Sequence, residues 1–224
     1  MLNVQIAESI ISLISFLFAY VISVTIAGYF TAWVVLKMGD ETPLEEGFLT
    51  LNPLAHIDIL GTLFLILYNF GWGRFIPINP SNITGELRIF KIIFAFMAKT
   101  VAHLMIAITS LVLLIGLFGP RVLMQFITHA YPESSSYLIA IGLILTSMLL
   151  INMILAVISF FINMCGMVIT QVLERYPEYM IYQSIIMILI PLALYYLFGP
   201  LLFSFTFMLI EKIGYSFATV LHLM

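Results

Sequence analysis

A chain of 224 residues that is 63% hydrophobic and 8% charged cannot cover a water-facing surface, so its composition excludes the soluble classes and points to an integral membrane protein. The net charge of −3 says little by itself, because in a membrane protein the placement of Lys and Arg matters and their total does not. A single cysteine, Cys165, excludes an internal disulfide framework and a thiolate zinc cluster.

No basic segment precedes the first apolar run and no small-residue cleavage signature follows it, so the amino terminus is expected to be a permanent anchor and not a removed signal peptide. Residues 6–37 read as the first span. In it Ser12, Ser15, Ala19, Ser23, Ala27 and Thr31 recur at three- and four-residue steps, a stripe along which another helix can approach closely. Lys37, Gly39 and Asp40 end it, and an acidic loop with Pro43 follows.

Residues 49–83 hold two punctuated polar loops, Leu51-Asn52-Pro53-Leu54-Ala55-His56-Ile57-Asp58 and Gly71-Trp72 through Pro77-Ile78-Asn79-Pro80-Ser81-Asn82. The apolar stretch between them, 57–70, would reach only ~21 Å as a helix, short of the ~30 Å hydrocarbon layer, so it is expected to dip in and return. With such re-entry Lys37, Arg74, Arg88, Lys91 and Arg175 share one compartment and Arg121 lies opposite, with Lys212 undecided. By the positive-inside rule both loops are then cytoplasmic and the amino terminus is outside.

The second span is expected over 87–118, ended by Gly119-Pro120, with Lys99, Thr100 and His103 inside it. Lys99 and His103 lie one turn apart on one face, and a charge at that depth must meet protein, water or a partner. An external loop with His129, Tyr131, Pro132 and Glu133 leads to a third span, 137–174, where Asn152, Ala156, Ser159, Asn163, Gly166 and Thr170 form a stripe suited to another helix. A fourth span, 179–198, ends at Gly199-Pro200, and the apolar tail 201–224 is either a fifth element or an extension. Trp72, Tyr131, Tyr179, Tyr182, Tyr195 and Tyr196 read as interfacial belt residues. The fold class expected is an all-α integral membrane domain of four to six hydrophobic helices with one short re-entrant segment.

The two loops resemble those of the small site-2-protease family of intramembrane zinc metalloproteases, in the branch that is little more than the membrane core. There a first helix carrying HExxH is followed by Gly-Asp, a loop like LTLNPLAHIDPLGTL and a second like GWAKPVPVNPxN. Gly39-Asp40, Leu49 to Asp58, Leu60-Gly61-Thr62-Leu63 and Gly71 to Asn82 keep that order and nearly that spacing. About forty-five residues carry the detailed match, and helix order extends it loosely to about residue 180. Counting back from Gly39-Asp40, the HExxH place falls on Gly28-Tyr29-Phe30-Thr31-Ala32, which holds no imidazole or carboxylate to bind zinc or activate water. Cys165, before Gly166, stands where the resemblance implies an Asp ligand, and Ala98-Lys99-Thr100 with His103 stands where it implies Ala-Gly-Pro and an Asn.

The resemblance therefore implies a site-2-protease-like core, with the chain expected to be no enzyme: a scaffold, adaptor or structural subunit that binds other integral membrane proteins within a larger complex, contacts lipid, and takes no cofactor and no nucleic acid. Asn52, Pro53, His56, Asp58, Gly71, Trp72, Pro77, Asn79 and Pro80 are the loop residues that carry it, His56 and Asp58 by capping helix ends and holding the loop, with a metal role as the other reading. Lys99, His103, Asn152 and Asn163 are the intramembrane polar group. Cys165 reads as a small buried hydrophobe. Two further functions stand beside the first: an accessory subunit of an energy-transducing or transport complex using Lys99 and His103, and a metalloprotease with a rebuilt site. The membrane is expected to be the bacterial inner membrane.

Overall fold

The computed structural model describes residues 2–68, 71–119 and 136–176, with single positions beyond them. Its helices are α1 (Leu2–Met38), α2 (Thr42–Glu45), α3 (Pro53–His56), α4 (Ile59–Tyr68), α5 (Arg88–Phe118) and α6 (Ser136–Arg175). Among the described residues there is no strand, and an isolated antiparallel bridge joins Ile57 to Gly73. Leu13–Met38, Arg88–Phe118 and Tyr137–Thr170 are each long and apolar enough to cross a bilayer. The protein is an all-α membrane protein. The external loop that begins at Arg121, the fourth span over 179–198 and the tail 201–224 fall outside the continuously described residues.

A largely apolar sequence without Pro lets α1 run for 37 residues. It stops at Gly39, whose φ of 106° is a conformation that L side chains rarely adopt. Capping bonds from Gly39 N to Leu36 O at 3.1 Å and from Asp40 N to Val35 O at 3.2 Å close its last turn. Ser15, Ala19, Ser23, Ala27 and Thr31 are all buried, so the small-residue stripe faces protein. The Thr31 hydroxyl returns to Ala27 O at 2.6 Å, which satisfies it where no water is at hand.

The chain forms two compact units. In the one made of residues 1–23, 104–154 and 201–224, Ala107, Leu114, Leu143 and Leu149 make the core, packed by Leu111, Phe118 and Met153. Asn152, fully buried there, donates to Ser23 Oγ at 2.6 Å, so the polar members of two stripes meet within this chain. In the other, residues 24–103 and 155–200, Val35, Ile83, Ile92, Ala95 and Phe96 form one cluster, and Ala32, Phe48 and Ile76 another. Along α5 the large apolar side chains of Ile93, Leu104, Met105, Ile108 and Val112 stay exposed, as suits a face turned to lipid.

Helix α4 has 10 residues, about 15 Å of length, half of what the hydrocarbon layer needs. Its two flanks meet, because the bridge pairs Ile57 before it with Gly73 after it, and Arg74 N donates to His56 O at 2.7 Å. Two glycines permit this return: a Cβ on Gly61 would collide with the Trp72 carbonyl oxygen, and one on Gly71 with the Gly61 carbonyl. Trp72 departs from the interfacial role expected of it. It is buried, with its ring 5.4 Å from that of Phe64 on α4, because the returning chain tucks it beneath the helix.

Candidate functional site

The two loops use one local device twice. Asn52 precedes Pro53 at the start of α3, and its Oδ1 accepts from Leu54 N at 3.1 Å. Asn79 precedes Pro80 at a single 3₁₀ turn, Pro80–Asn82, and its Oδ1 accepts from Ser81 N at 3.1 Å. An Asn cap satisfies a donor that the helix start leaves orphaned, and the following Pro has none to lose. Asp58 does the same for α4, its Oδ1 accepting from Gly61 N at 2.7 Å while Thr62 Oγ1 donates to Asp58 O at 2.7 Å. Pro77 lies in the stretch 74–79, which has no regular secondary structure, between the Gly73 bridge and the 3₁₀ turn, and Asn79 at its end is extended.

Asp40 ties the far end of that stretch to the end of α1. It is fully buried and accepts from Thr42 N at 3.1 Å, Thr42 Oγ1 at 2.6 Å, Asn79 N at 2.7 Å and Asn82 Nδ2 at 2.9 Å. Sequence reasoning had read Asp40 only as the end of a helix. The signal available was its place in the matched Gly-Asp pair, which gave position and not partners.

His56, 1% exposed, stands where α3 ends. Its Nε2 lies 2.7 Å from Thr50 O, so the neutral ring donates there and leaves Nδ1 bare. Nδ1 has no hydrogen-bond partner and lies against Gly28 of α1, the first residue of the place matched to HExxH. The imidazole thus occupies space that any side chain at residue 28 would need. Gly28→Ala is expected to destabilise the fold by about 1–3 kcal/mol, since the added methyl forces the His56 ring to move, outweighing a helix-propensity gain of about 1 kcal/mol. Detergent unfolding curves check this, and His56→Ala in the same chain should restore part of the loss.

Burial holds the His56 pKa below its ordinary 6.5; the bond to Thr50 pulls the other way, and the charges of Lys99 and Arg74 add to the lowering. The unfolded chain therefore takes up a proton before the folded one does. Stability is full above pH 6.5 and falls below it, by at most about 1.4 kcal/mol per pH unit, until the pH reaches the folded value. Melting temperatures measured from pH 8 to 5 should show this slope. His56→Gln, whose amide can still donate to the Thr50 carbonyl, should flatten it.

Lys99 comes from mid-α5 and is 8% exposed. Its Nζ donates to Gly73 O at 3.2 Å and Arg74 O at 2.7 Å, so a buried cation braces the start of the stretch 74–79. Arg74 in turn lies 5.3 Å above the Phe48 ring. His103, one turn beyond Lys99, is fully buried. Lys99, Asp58, Trp72, Gly73 and Phe75 line a cavity of about 100 Å³ with Ser159, Ile162 and Asn163 of α6. Of the intramembrane polar group, Lys99 and Asn163 thus come together, whereas Asn152 serves the other unit. Cys165 is a half-buried free thiol.

Zinc is the metal the family resemblance implies, and the described residues do not fit it. Among the described residues no three of His, Cys, Asp and Glu converge as a metal would need, and the matched place on α1 carries Gly28 beneath an imidazole that points a bare nitrogen at backbone.

No model of a known protein family matches the chain, and no solved structure does. A segment of 59 residues is 42% identical to "Putative zinc metalloprotease YwhC" of Bacillus subtilis (strain 168), covering 26% of this chain and 27% of that protein. The expectation that the chain is no enzyme is corrected by this relative, whose name is that of a protease. That expectation took the loss of HExxH for the loss of hydrolysis, but the motif is one way to assemble a metal site and its absence excludes only that way. Over about a quarter of its length, then, this membrane protein is similar to a zinc metalloprotease of the site-2-protease-like kind.

Proposed function

We propose that the chain is a site-2-protease-like membrane protein that binds other membrane polypeptides and serves as a scaffold, adaptor or structural subunit for them. The stretch 74–79 carries the reading: it belongs to no helix or sheet, yet it is braced at one end by Lys99 and the Ile57–Gly73 bridge and at the other by Asp40. Backbone that lies outside any helix or sheet and is tied down at both ends leaves main-chain groups that a second chain can follow by hydrogen bonds. Its amino terminus is outside and residues 49–83 are cytoplasmic, in a bacterial inner membrane.

A photo-crosslinking amino acid at Phe75, activated in native membranes, should capture membrane polypeptides well above the level from exposed, lipid-facing Ile108. Equal capture at both positions would sink the reading. Sidedness is tested by a cysteine at Ser81 in a chain with Cys165→Ala, which an impermeant maleimide should label only after the cells are opened.

The similarity to a named metalloprotease favours a second reading, peptide-bond hydrolysis at a metal site built differently from HExxH. Metal analysis of purified protein decides: stoichiometric zinc that is lost on replacing His56 or His103 would put this reading first.

A further inference from the structure

Residues 84–90 are exposed without a break, and three of them are large and apolar: Leu87 at 70%, Ile89 at 69% and Phe90 at 68%. Leu87 also holds a φ of 59°, a left-handed backbone that is rare and costly for a residue other than Gly, Asn or Asp. A strained leucine that fills no core is a poor choice for a turn in water, and so large an apolar patch marks a contact surface. Length says what covers it. Helix α5, which starts at the next residue, has 31 residues. At that length it is about 46 Å long against a hydrocarbon layer of about 30 Å, so when centred in a bilayer its first turn lies about 8 Å beyond that layer, among the headgroups.

Two cations stand at that level. Arg88 and Lys91 are one turn apart on α5, and both side chains run back toward the chain that precedes the helix. Arg88 Nε donates to Ile83 O at 2.8 Å and its Nη2 to Pro80 O at 3.1 Å, while Lys91 Nζ donates to Thr84 O at 3.2 Å. Long basic side chains lie this way at a membrane boundary, with the stem along apolar surface and the charged head toward the polar layer. Among the described residues these bonds use two of the five N–H donors of the guanidinium and one of the three of the ammonium, which leaves donors on both for a ligand.

Charge selects the headgroup. Exposed Glu86 offsets one of the two cations, so the turn carries a net single positive charge. A phosphodiester with no amine beside it completes that charge, whereas a zwitterionic headgroup brings its own cation and does not. An acidic polypeptide in solution would match the charge but leave Leu87, Ile89 and Phe90 to water.

We propose that the start of α5 is a headgroup site for an anionic phospholipid. Arg88 and Lys91 hold its phosphate, and its acyl chains lie along Leu87, Phe90 and, one turn further, exposed Phe94. The site stands apart from the polypeptide-binding reading and holds whether or not a second chain follows residues 74–79.

The chain has two tryptophans, Trp33 and Trp72. In full-length protein carrying Trp33→Phe and Phe90→Trp the new indole reports the lipid beside Lys91, and the chain with Trp33→Phe alone supplies the background of buried Trp72. The protein is placed in vesicles of equal parts phosphatidylglycerol and phosphatidylcholine, in which one lipid or the other carries bromine in its acyl chains and quenches an indole that it touches. Phosphatidylglycerol should be about fivefold enriched at position 90, the worth of one net charge near a membrane surface. A tryptophan at lipid-facing Ile108 instead should show no enrichment. Lys91→Gln should erase the preference at position 90, and Glu86→Gln should raise it to about 25-fold. Misfolding cannot produce that gain.

Equal quenching by the two lipids at position 90 would overturn the proposal, as would a preference that survives Lys91→Gln or ignores Glu86→Gln. Inorganic phosphate and polyglutamate, each compared with sodium chloride at the same ionic strength, should leave the preference unchanged. If either abolishes it, the turn is a site for soluble anions and the lipid proposal fails.

Discussion

Replacing Asp40 by alanine is expected to cost about 3 kcal/mol, because a hydrogen bond to a charged group contributes about 1.5–3 kcal/mol and several are lost together. The carboxylate takes four hydrogen bonds without exposure to solvent, from Thr42 N, Thr42 Oγ1, Asn79 N and Asn82 Nδ2. Alanine leaves the Asn79 N–H and the Asn82 amide without this acceptor; both residues are exposed, so their donors can turn to water and the loss lies in the bonds to the carboxylate themselves. Asp40→Asn tests the argument more finely. It keeps the shape but turns one acceptor oxygen into a donor facing donors, so it should lose much of the stability that alanine loses. Denaturant titration in detergent measures both, and crosslinking from Phe75 should fall with them, because Asp40 anchors the end of the stretch to which Phe75 belongs. A loss below about 1 kcal/mol for Asp40→Ala, the worth of one ordinary hydrogen bond, would show that the hub is not buried in this way.

Gly61→Ala is the second large effect expected, a net loss of about 2 kcal/mol or more. Ordinarily alanine in place of glycine within a helix gains about 1 kcal/mol. Here the new methyl would strike the Trp72 carbonyl oxygen, with the Trp72 N and C at 3.0 Å, and backbone cannot rotate aside as a side chain can. Trp72 is also held from the other side through the bridge of Gly73 to Ile57 and the tilted contact of its ring with that of Phe64. The bilayer-facing control is Gly116 of α5, where an added Cβ meets nothing within 4 Å, so that Gly116→Ala should be neutral or gain stability. Thermal unfolding of the two variants side by side should move in opposite directions. If both move alike, the close return of the chain after α4 is wrong.

These two positions show where sequence reasoning reached and where it stopped. The length of the apolar stretch between the loops was enough to mark it as too short to cross, because rise per residue is a local property. Both Asn-Pro pairs could be recognised as ordered loop elements for the same reason: a cap and its helix start are neighbours in sequence. The stripe of small residues on α1 announced a packed face, and Ser15, Ala19, Ser23, Ala27 and Thr31 are indeed buried. What hydropathy could not say was which surface covers that face. Asn152, 129 residues away, reaches Ser23, and that makes part of the contact internal to the chain.

Counting motifs also misled. The missing HExxH was taken to exclude catalysis, and similarity to a named metalloprotease overturned that step. Composition, hydropathy and cap chemistry by themselves determined that this is a helical membrane protein with an ordered pair of loops, since each of those signals is carried by residues close together in the chain. Only the tertiary structure decided that Asp40 holds Asn79 across 39 residues, that His56 fills the room above Gly28, and that Lys99, Asn163 and Asp58 surround one cavity. The partner of a buried polar group depends on how distant segments close on one another, and no local pattern of residues encodes that closure.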